Sequence, residues 1–318
     1  MPNDDQKKPC VQYVRHGGSI PGLDDTPAFS FVRHAEIANP IIVAVPHDGQ
    51  FYPPSLLAKM RNPGETCLRL EDRHVGRIAE LVAQDIGMTF LRALAPRAML
   101  DLNRAVDDID WSMVSGAKPG GPRHSQVNRR ARGGLGLIPR RIPSVGEIWR
   151  SQTTREEIEA RIDDIYTPYH SALGRELEAI RDRFGVALLL DLHSMPPLKP
   201  PTQGDEAAEF VVGDRFGASC DGGLVDLALR YLSGQGRKVA HNRPYAGGHI
   251  LDRYGQPRRG IHAIQLEVCR SLYLDSHLDR QSARLPAIAR LVSGLVRTLA
   301  HEVEEMGRRG QTTRQAAE

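Results

Sequence analysis

Cysteine, aromatic side chains and long apolar runs are all scarce in this chain. The four cysteines among its 318 residues (Cys10, Cys67, Cys220 and Cys269) show no C-x-x-C pairing, which argues against both a disulfide framework and a thiolate zinc knot. The longest apolar stretches, Ile41–Val45 and Val186–Leu190, fall far short of the ~20 residues a bilayer-spanning helix needs. Met1–Pro9 is polar and charged with no apolar stretch behind it, so no secretory signal is expected and the cytoplasm is the expected compartment. An excess of one charge is missing too: 42 Lys and Arg against 39 Asp and Glu leave +3. That balance builds no concentrated positive field for a nucleic-acid backbone. Neither nucleic acid nor a membrane is an expected partner.

What the chain does have is alternation of strand-like and helix-like segments. Ile41–Val45, ended by Pro46, is β-branched and small, as suits a strand buried on both faces. Apolar spacing predicts a helix over Glu71–Ile86 that stops at Gly87, followed by a strand over Thr89–Leu94. Arg155–Phe184 has helical period interrupted at Pro168 and leads through Gly185 into a strand over Val186–Leu190. Strands at Phe210–Val212, Lys238–Ala240 and Ala263–Val268 follow, with helices near Leu224–Gly234 and from Gln281 to Met306. The expected fold is therefore a single α/β domain, with a central mixed, mostly parallel sheet and helices on both faces. Residues 1–30 lack periodicity and are expected to be poorly ordered, 31–308 to form the domain, and 309–318 to be a polar tail. Ser115–Ser144, dense in Gly, Pro and Arg, reads as a long loop and a candidate active-site flap.

In open parallel sheets reactive side chains gather beyond the carboxyl ends of strands. His47 follows Val45, His193 follows the Leu188–Leu190 run, and Glu267 lies in Ile264–Val268. Two histidines and a carboxylate converging there have the composition of an open catalytic zinc site. Each taken alone is equally a strand-end hydrogen bonder, because no H-E-x-x-H spacing is present. Arg97, Asn103 and Arg104 flank a short apolar stretch, a place for charge that meets an anion or, alternatively, for a salt bridge from Arg104 to Asp101, Asp107 or Asp108.

These segments together resemble the N-formylglutamate amidohydrolase family. The run includes Val45-Pro-His47-Asp-Gly, Leu70-Glu-Asp72-Arg-His-Val75, Asp101-Leu-Asn-Arg104, Gly134-Leu-Gly-Leu-Ile-Pro139, Pro168-Tyr-His170 and Leu190-Asp-Leu-His-Ser-Met-Pro196. Gly213-Asp-Arg-Phe-Gly-Ala-Ser-Cys220, Pro244-Tyr-Ala-Gly-Gly248 and His262-Ala-Ile-Gln-Leu-Glu267 complete it, in the family's order, over about residues 40 to 300.

The resemblance implies a zinc-carboxypeptidase-like fold, a Zn2+ cofactor and hydrolysis of N-formyl-L-glutamate to formate and L-glutamate, at the end of histidine breakdown. The alternatives are a zinc carboxypeptidase or deacylase acting on other N-acyl amino acids or peptides, and a binding module that grips acidic ligands. The implied metal ligands are His47, His193 and Asp72, with Glu71 as the alternative to Asp72. Related carboxypeptidases have a glutamate three residues after the first histidine, and this chain has Gln50 there. Glu267 resembles the general base, Arg97 the oxyanion arginine, and Asn103 with Arg104 the pair that grips the substrate carboxylate. Gly247 and Gly248 read either as close backbone approach to the substrate or as a plain turn. Asp191, two residues before His193, lies on the same strand face and is positioned to accept the imidazole's second N–H. His74, His170 and His262 read as structural histidines.

Overall fold

The two apolar runs predicted as buried strands pair at the centre of an eight-stranded sheet in the computed structural model, which describes residues 12–34, 37–116, 129–143, 145–200, 202 and 204–315. In chain order the strands are β1 (Gln12–Gly17), β2 (Phe29–His34), β3 (Ile41–Val45), β4 (Thr89–Ala93), β5 (Ala187–Met195), β6 (Phe210–Gly213), β7 (Val239–His241) and β8 (Ile261–Cys269). Their spatial order is β1-β2-β4-β3-β5-β8-β6-β7. The four central strands run parallel, and β2, β6 and β7 run against them. The helices used below are α1 (Pro63–Leu70), α2 (Val75–Ile86), α3 (Arg155–Arg161), α4 (Thr167–Phe184), α5 (Gly222–Gly234), α6 (His249–Tyr254) and α7 (Leu285–Gln315).

Alternation along β5 shows how both faces are covered. Leu188, Leu190 and Leu192 pack with residues of α2, α5 and α7, while Ala187 and Leu189 pack with Tyr169, Leu173 and Leu177 of α4. Asp191 and His193 share the second face because strand side chains repeat every two residues. Among the described residues no helix is long and apolar enough to cross a membrane.

Several local expectations change. The helix expected over Glu71–Ile86 begins at Val75, and α1 ends at Leu70, so residues 71–74 form a non-helical break that starts extended at Glu71 and ends with His74 at φ +60°. The break is fixed from outside: Asp72 N–H donates to the His47 carbonyl (2.8 Å), and Gly76 N–H at the start of α2 donates to Asp48 (3.0 Å). A side chain at Gly76 would collide with that Asp48 carboxylate. Strand β5 runs to Met195, so Asp191 and His193 sit inside it rather than past its end.

Residues 12–30, expected to be poorly ordered, instead form a hairpin strand and a buried connection, with Ile20 and Ala28 each 1% exposed. The anchor lies far away in sequence. Helices α3 and α4 are joined by a π-helical turn at Ile162–Tyr166, and Pro168 has no N–H to offer the Asp164 carbonyl four residues back. Ser19 N–H takes that carbonyl (3.0 Å). The helix expected to end at Met306 runs on to Gln315, through most of the expected polar tail; an Arg308–Glu305 pair at 2.6 Å accompanies the extension. In the expected flap, residues 117–128 and 144 lie outside the described residues, and its remaining part includes Arg130 and Leu135, which line the site below.

Candidate active site

The turn after β3 is built for close approach. Gly49 packs so tightly on the Ala95 carbonyl that a Cβ there would come within 2.0 Å of it, and this seats His47 under the sheet's carboxyl edge. His47, Asp72 and His193 are all buried, and one ligand atom from each lies within 4.8 Å of the others. The two imidazole rings stand 4.8 Å apart between centroids.

The hydrogen bonds around these rings set their direction. His47 Nε2 donates to Asp101 (2.7 Å) and His193 Nε2 donates to Asp191 (2.9 Å), which leaves Nδ1 of both rings turned toward Asp72. His193 Nδ1 is 3.0 Å and His47 Nδ1 3.5 Å from the same Asp72 oxygen. The other Asp72 oxygen accepts from Ser194 (3.2 Å) and Arg270 (3.1 Å). Burial pushes the Asp72 carboxyl up, but bonds from His193 and His47 overcome it and hold the group well below the usual carboxylate range. Burial likewise disfavours charge on His193, and Asp191 reverses the balance, raising its proton affinity well above that of free imidazole. Two nitrogens and one carboxylate oxygen, each oriented by a further carboxylate or cation, form a donor set that fits a divalent metal with positions left open.

Glu267 on β8 is the register partner of His193 on β5 and faces the same cavity, whose volume is about 330 Å³. Burial is the largest influence on its carboxyl and pushes it up to about 7; His193 opposes this, and Asp72 and Asp191 add to it. Gln265 Nε2 donates to Glu267 (2.9 Å). Arg270, three residues after Glu267, is held by Asp72, Ser194 and the Glu71 carbonyl.

The other expected site residues fall as follows. Asp72 rather than Glu71 joins the histidines; the Glu71 carboxylate accepts from Arg73 Nε (2.8 Å). Gln50 is exposed and does not line the cavity. Arg97 lines it and is held by Asp101 (2.9 Å), where burial works against its charge and Asp101 outweighs burial. Arg104 lines it too, with Nε on the Leu135 carbonyl (2.8 Å) and one terminal nitrogen 3.8 Å from Asp101, so the salt-bridge reading of Arg104 has its partner in Asp101.

Asn103, expected in the carboxylate grip, lines the cavity and also has internal partners. Its carbonyl accepts from Ile250 N–H (2.8 Å) and its amide donates to Asp191 (3.3 Å), so it joins α6 to β5. Gly248 belongs to the same packing, since a Cβ there would lie 2.5 Å from Asn103 Oδ1. Gly247, at φ +102°, occupies a backbone region that side chains rarely enter. His170 and His262 have internal partners, His170 with Leu102 O and Tyr254, His262 with Asp221 N–H.

Sequence reasoning missed Asp101 as the His47 orienter, because it was weighed only as a counter-ion for Arg104. It also missed Ser194, Tyr245, Gln265, Arg69 and Arg130 as lining groups. Ser194 and Gln265 sit next to or two residues from named site residues, a signal that strand periodicity makes available for Gln265.

Comparison with known proteins bears on this geometry. The family model described as N-formylglutamate amidohydrolase matches residues 39–274. The N-formylglutamate deformylases of Pseudomonas aeruginosa and Pseudomonas putida are 29% and 30% identical over 239 and 244 residues, each covering 74% of this chain and 82% of the relative. The crystal structure of N-formylglutamate amidohydrolase from Ralstonia eutropha JMP134 superposes with a TM-score of 0.76 at 33% identity, covering 89% of this chain and 99% of that one. A protein from Agrobacterium tumefaciens shares the fold at 17% identity, TM-score 0.61, covering 87% of this chain and 94% of that one. The matched span contains every residue of the His47–Asp72–His193 cluster together with Glu267, and the chain belongs to the N-formylglutamate amidohydrolase family.

Proposed function

We propose that this protein hydrolyses the N-formyl amide of an acidic amino acid, taking N-formyl-L-glutamate and water to formate and L-glutamate, with a zinc ion held by His47, Asp72 and His193. The observation that carries the reading is the buried three-donor cluster opening on the cavity that Glu267 and several arginines line. When bound, zinc supplies Lewis-acid polarisation of an amide carbonyl and acidification of water near neutral pH.

The chain's own residues do the rest. Glu267 accepts a proton from the attacking water as the water oxygen adds to the formyl carbon, then delivers that proton to the amide nitrogen as the C–N bond breaks. Arg97, steadied by Asp101, faces the oxygen that gains charge, and Arg104 binds a substrate carboxylate. Asn103 acts through Asp191, holding the His193 ring at its angle. The test is formate release from a panel of N-formyl amino acids by protein of measured metal content. Release from N-formylglutamate that follows zinc occupancy supports the reading, and a zinc-loaded protein inactive on the whole panel refutes it.

A further inference from the structure

Arginine is over-supplied in this site. Five arginines line the catalytic cavity, and four of them have partners: Arg97 with Asp101, Arg104 with Leu135 O and Asn103 O, Arg270 with Asp72 and Ser194, and Arg69 with Glu65 at 4.0 Å. The fifth, Arg130, makes no side-chain hydrogen bond or ion pair among the described residues and is exposed.

Its position is nonetheless fixed. The carbonyl of Arg130 accepts from Leu135 N–H (3.1 Å), and the carbonyl of Leu135 accepts from Arg104 Nε (2.8 Å), so one residue ties both arginines to a single wall. Ala131 N–H, next in the chain, donates to Asp108 (3.2 Å), and Gly136 packs against Ala131 closely enough to exclude a side chain. Arg104 and Arg130 also line a second cavity of about 290 Å³, which shares Asn103, Gly247 and Gly248 with the first and is therefore its continuation. The acidic groups in that extension are Asp108 and Asp252; one Asp108 oxygen accepts from the Ala131 backbone while its charge is shared between Arg104 and Arg130, and Asp252 pairs with Arg215 (2.5 Å). Two guanidinium groups on one wall, the second making no side-chain hydrogen bond or ion pair among the described residues and feeling the charge of Asp108, match a ligand with two anionic groups better than one with a single carboxylate.

We propose that Arg130 is a specificity-determining residue that takes the second carboxylate of a dicarboxylic N-acyl amino acid, while Arg104 takes the first. This rests on the reading of the site as an N-acyl amino acid hydrolase and adds to it the reason for an acidic side chain. Neutral isosteres then lose one charge-assisted pair but keep the other.

The experiment compares N-formylglutamate with N-formylglutamine, and measures binding of glutarate, a dicarboxylate with no amide to cut. Arg130→Gln should lower kcat/KM on N-formylglutamate by roughly ten- to hundredfold, mainly through KM, and should cost far less on N-formylglutamine. Arg130→Lys should recover part of the loss, because a point charge replaces the planar fork. Glutarate should bind Arg130→Gln at least about tenfold more weakly than the parent protein. Equal losses on the two substrates, or an undiminished preference for glutamate, would overturn the assignment. Should the parent protein release no formate from either substrate, the proposed reaction falls; glutarate then decides the subsite alone, and an affinity unmoved by Arg130→Gln, or no glutarate binding at all, ends it.

Discussion

Asp101 accepts a hydrogen bond from Nε2 of His47 at 2.7 Å and one from Nε of Arg97 at 2.9 Å, so a single buried carboxylate orients both an imidazole of the His47–Asp72–His193 cluster and an arginine of the cavity. Burial disfavours its charge, and Arg97, Arg104 and His47 together hold it ionised well below the usual range.

Asp101→Asn keeps the shape and removes the charge. Metal affinity should fall by roughly 10–100-fold, because the ring loses the carboxylate that sets its direction and basicity. Zinc titration against a competing chelator reads this directly. An unchanged affinity would mean that the His47 ring is oriented by packing alone.

His193→Ala should carry less than about a tenth of the parent's bound zinc, since one of three donors is gone. The structure adds a cost that a surface ligand would not have: Asp72 and Asp191 are both left buried without the ring between them. We therefore expect a lowered Tm as well, by several kcal/mol of stability. Stoichiometric zinc in a variant that melts like the parent contradicts both parts.

Glu267→Gln isolates the proton transfer. Turnover should drop about 10²–10⁴-fold with zinc retained. Stability should stay within ~1 kcal/mol of the parent, because the Gln265 amide donates to this side chain and a Gln carbonyl in its place still accepts that bond. Activity within threefold of the parent would remove Glu267 from the chemistry.

His170 gives the fold a pH dependence independent of the His47–Asp72–His193 cluster. Burial is the chief cause of its pKa falling to about 3, with Arg253 and His249 adding to it. The unfolded chain takes up this proton near pH 6.5 and the folded chain does not, so stability falls as pH drops from about 6.5 toward 3 and levels off below. A variant such as His170→Gln should show a shallower loss across that window, by up to several kcal/mol, in denaturant titrations at stepped pH. Parallel curves for parent and variant would show that His170 titrates alike in both states.

How far the sequence could carry this reading depended on whether the determinant was local. Strand β3 and the residue just after it were legible because β-branched runs, Pro46 and the carboxyl-end rule act within a few residues. The break at residues 71–74 was not legible: its causes are a carbonyl at His47 and a carboxylate at Asp48, more than 20 residues away. The N-terminal hairpin was hidden for the same reason, its anchor being a carbonyl at Asp164. The motif around Asn103 names a residue for the cavity without saying which neighbours hold its side chain; Ile250 and Asp191, 147 and 88 residues away, are visible only in three dimensions.

The π turn at Ile162–Tyr166 holds one residue more than an α-helical path between the same two points would use. Loss of a single codon in that stretch would leave an unbroken helix of good composition, yet it would turn α3 by about 100° relative to α4. Ile158 and Arg161, buried now, would swing away from the core, while Tyr166 would lose its hold on the Arg104 carbonyl (3.0 Å). Substitutions across these five positions are therefore compatible with the fold within the limits of burial, whereas a change in their number is not: in this segment the count of residues, more than their identity, sets the structure.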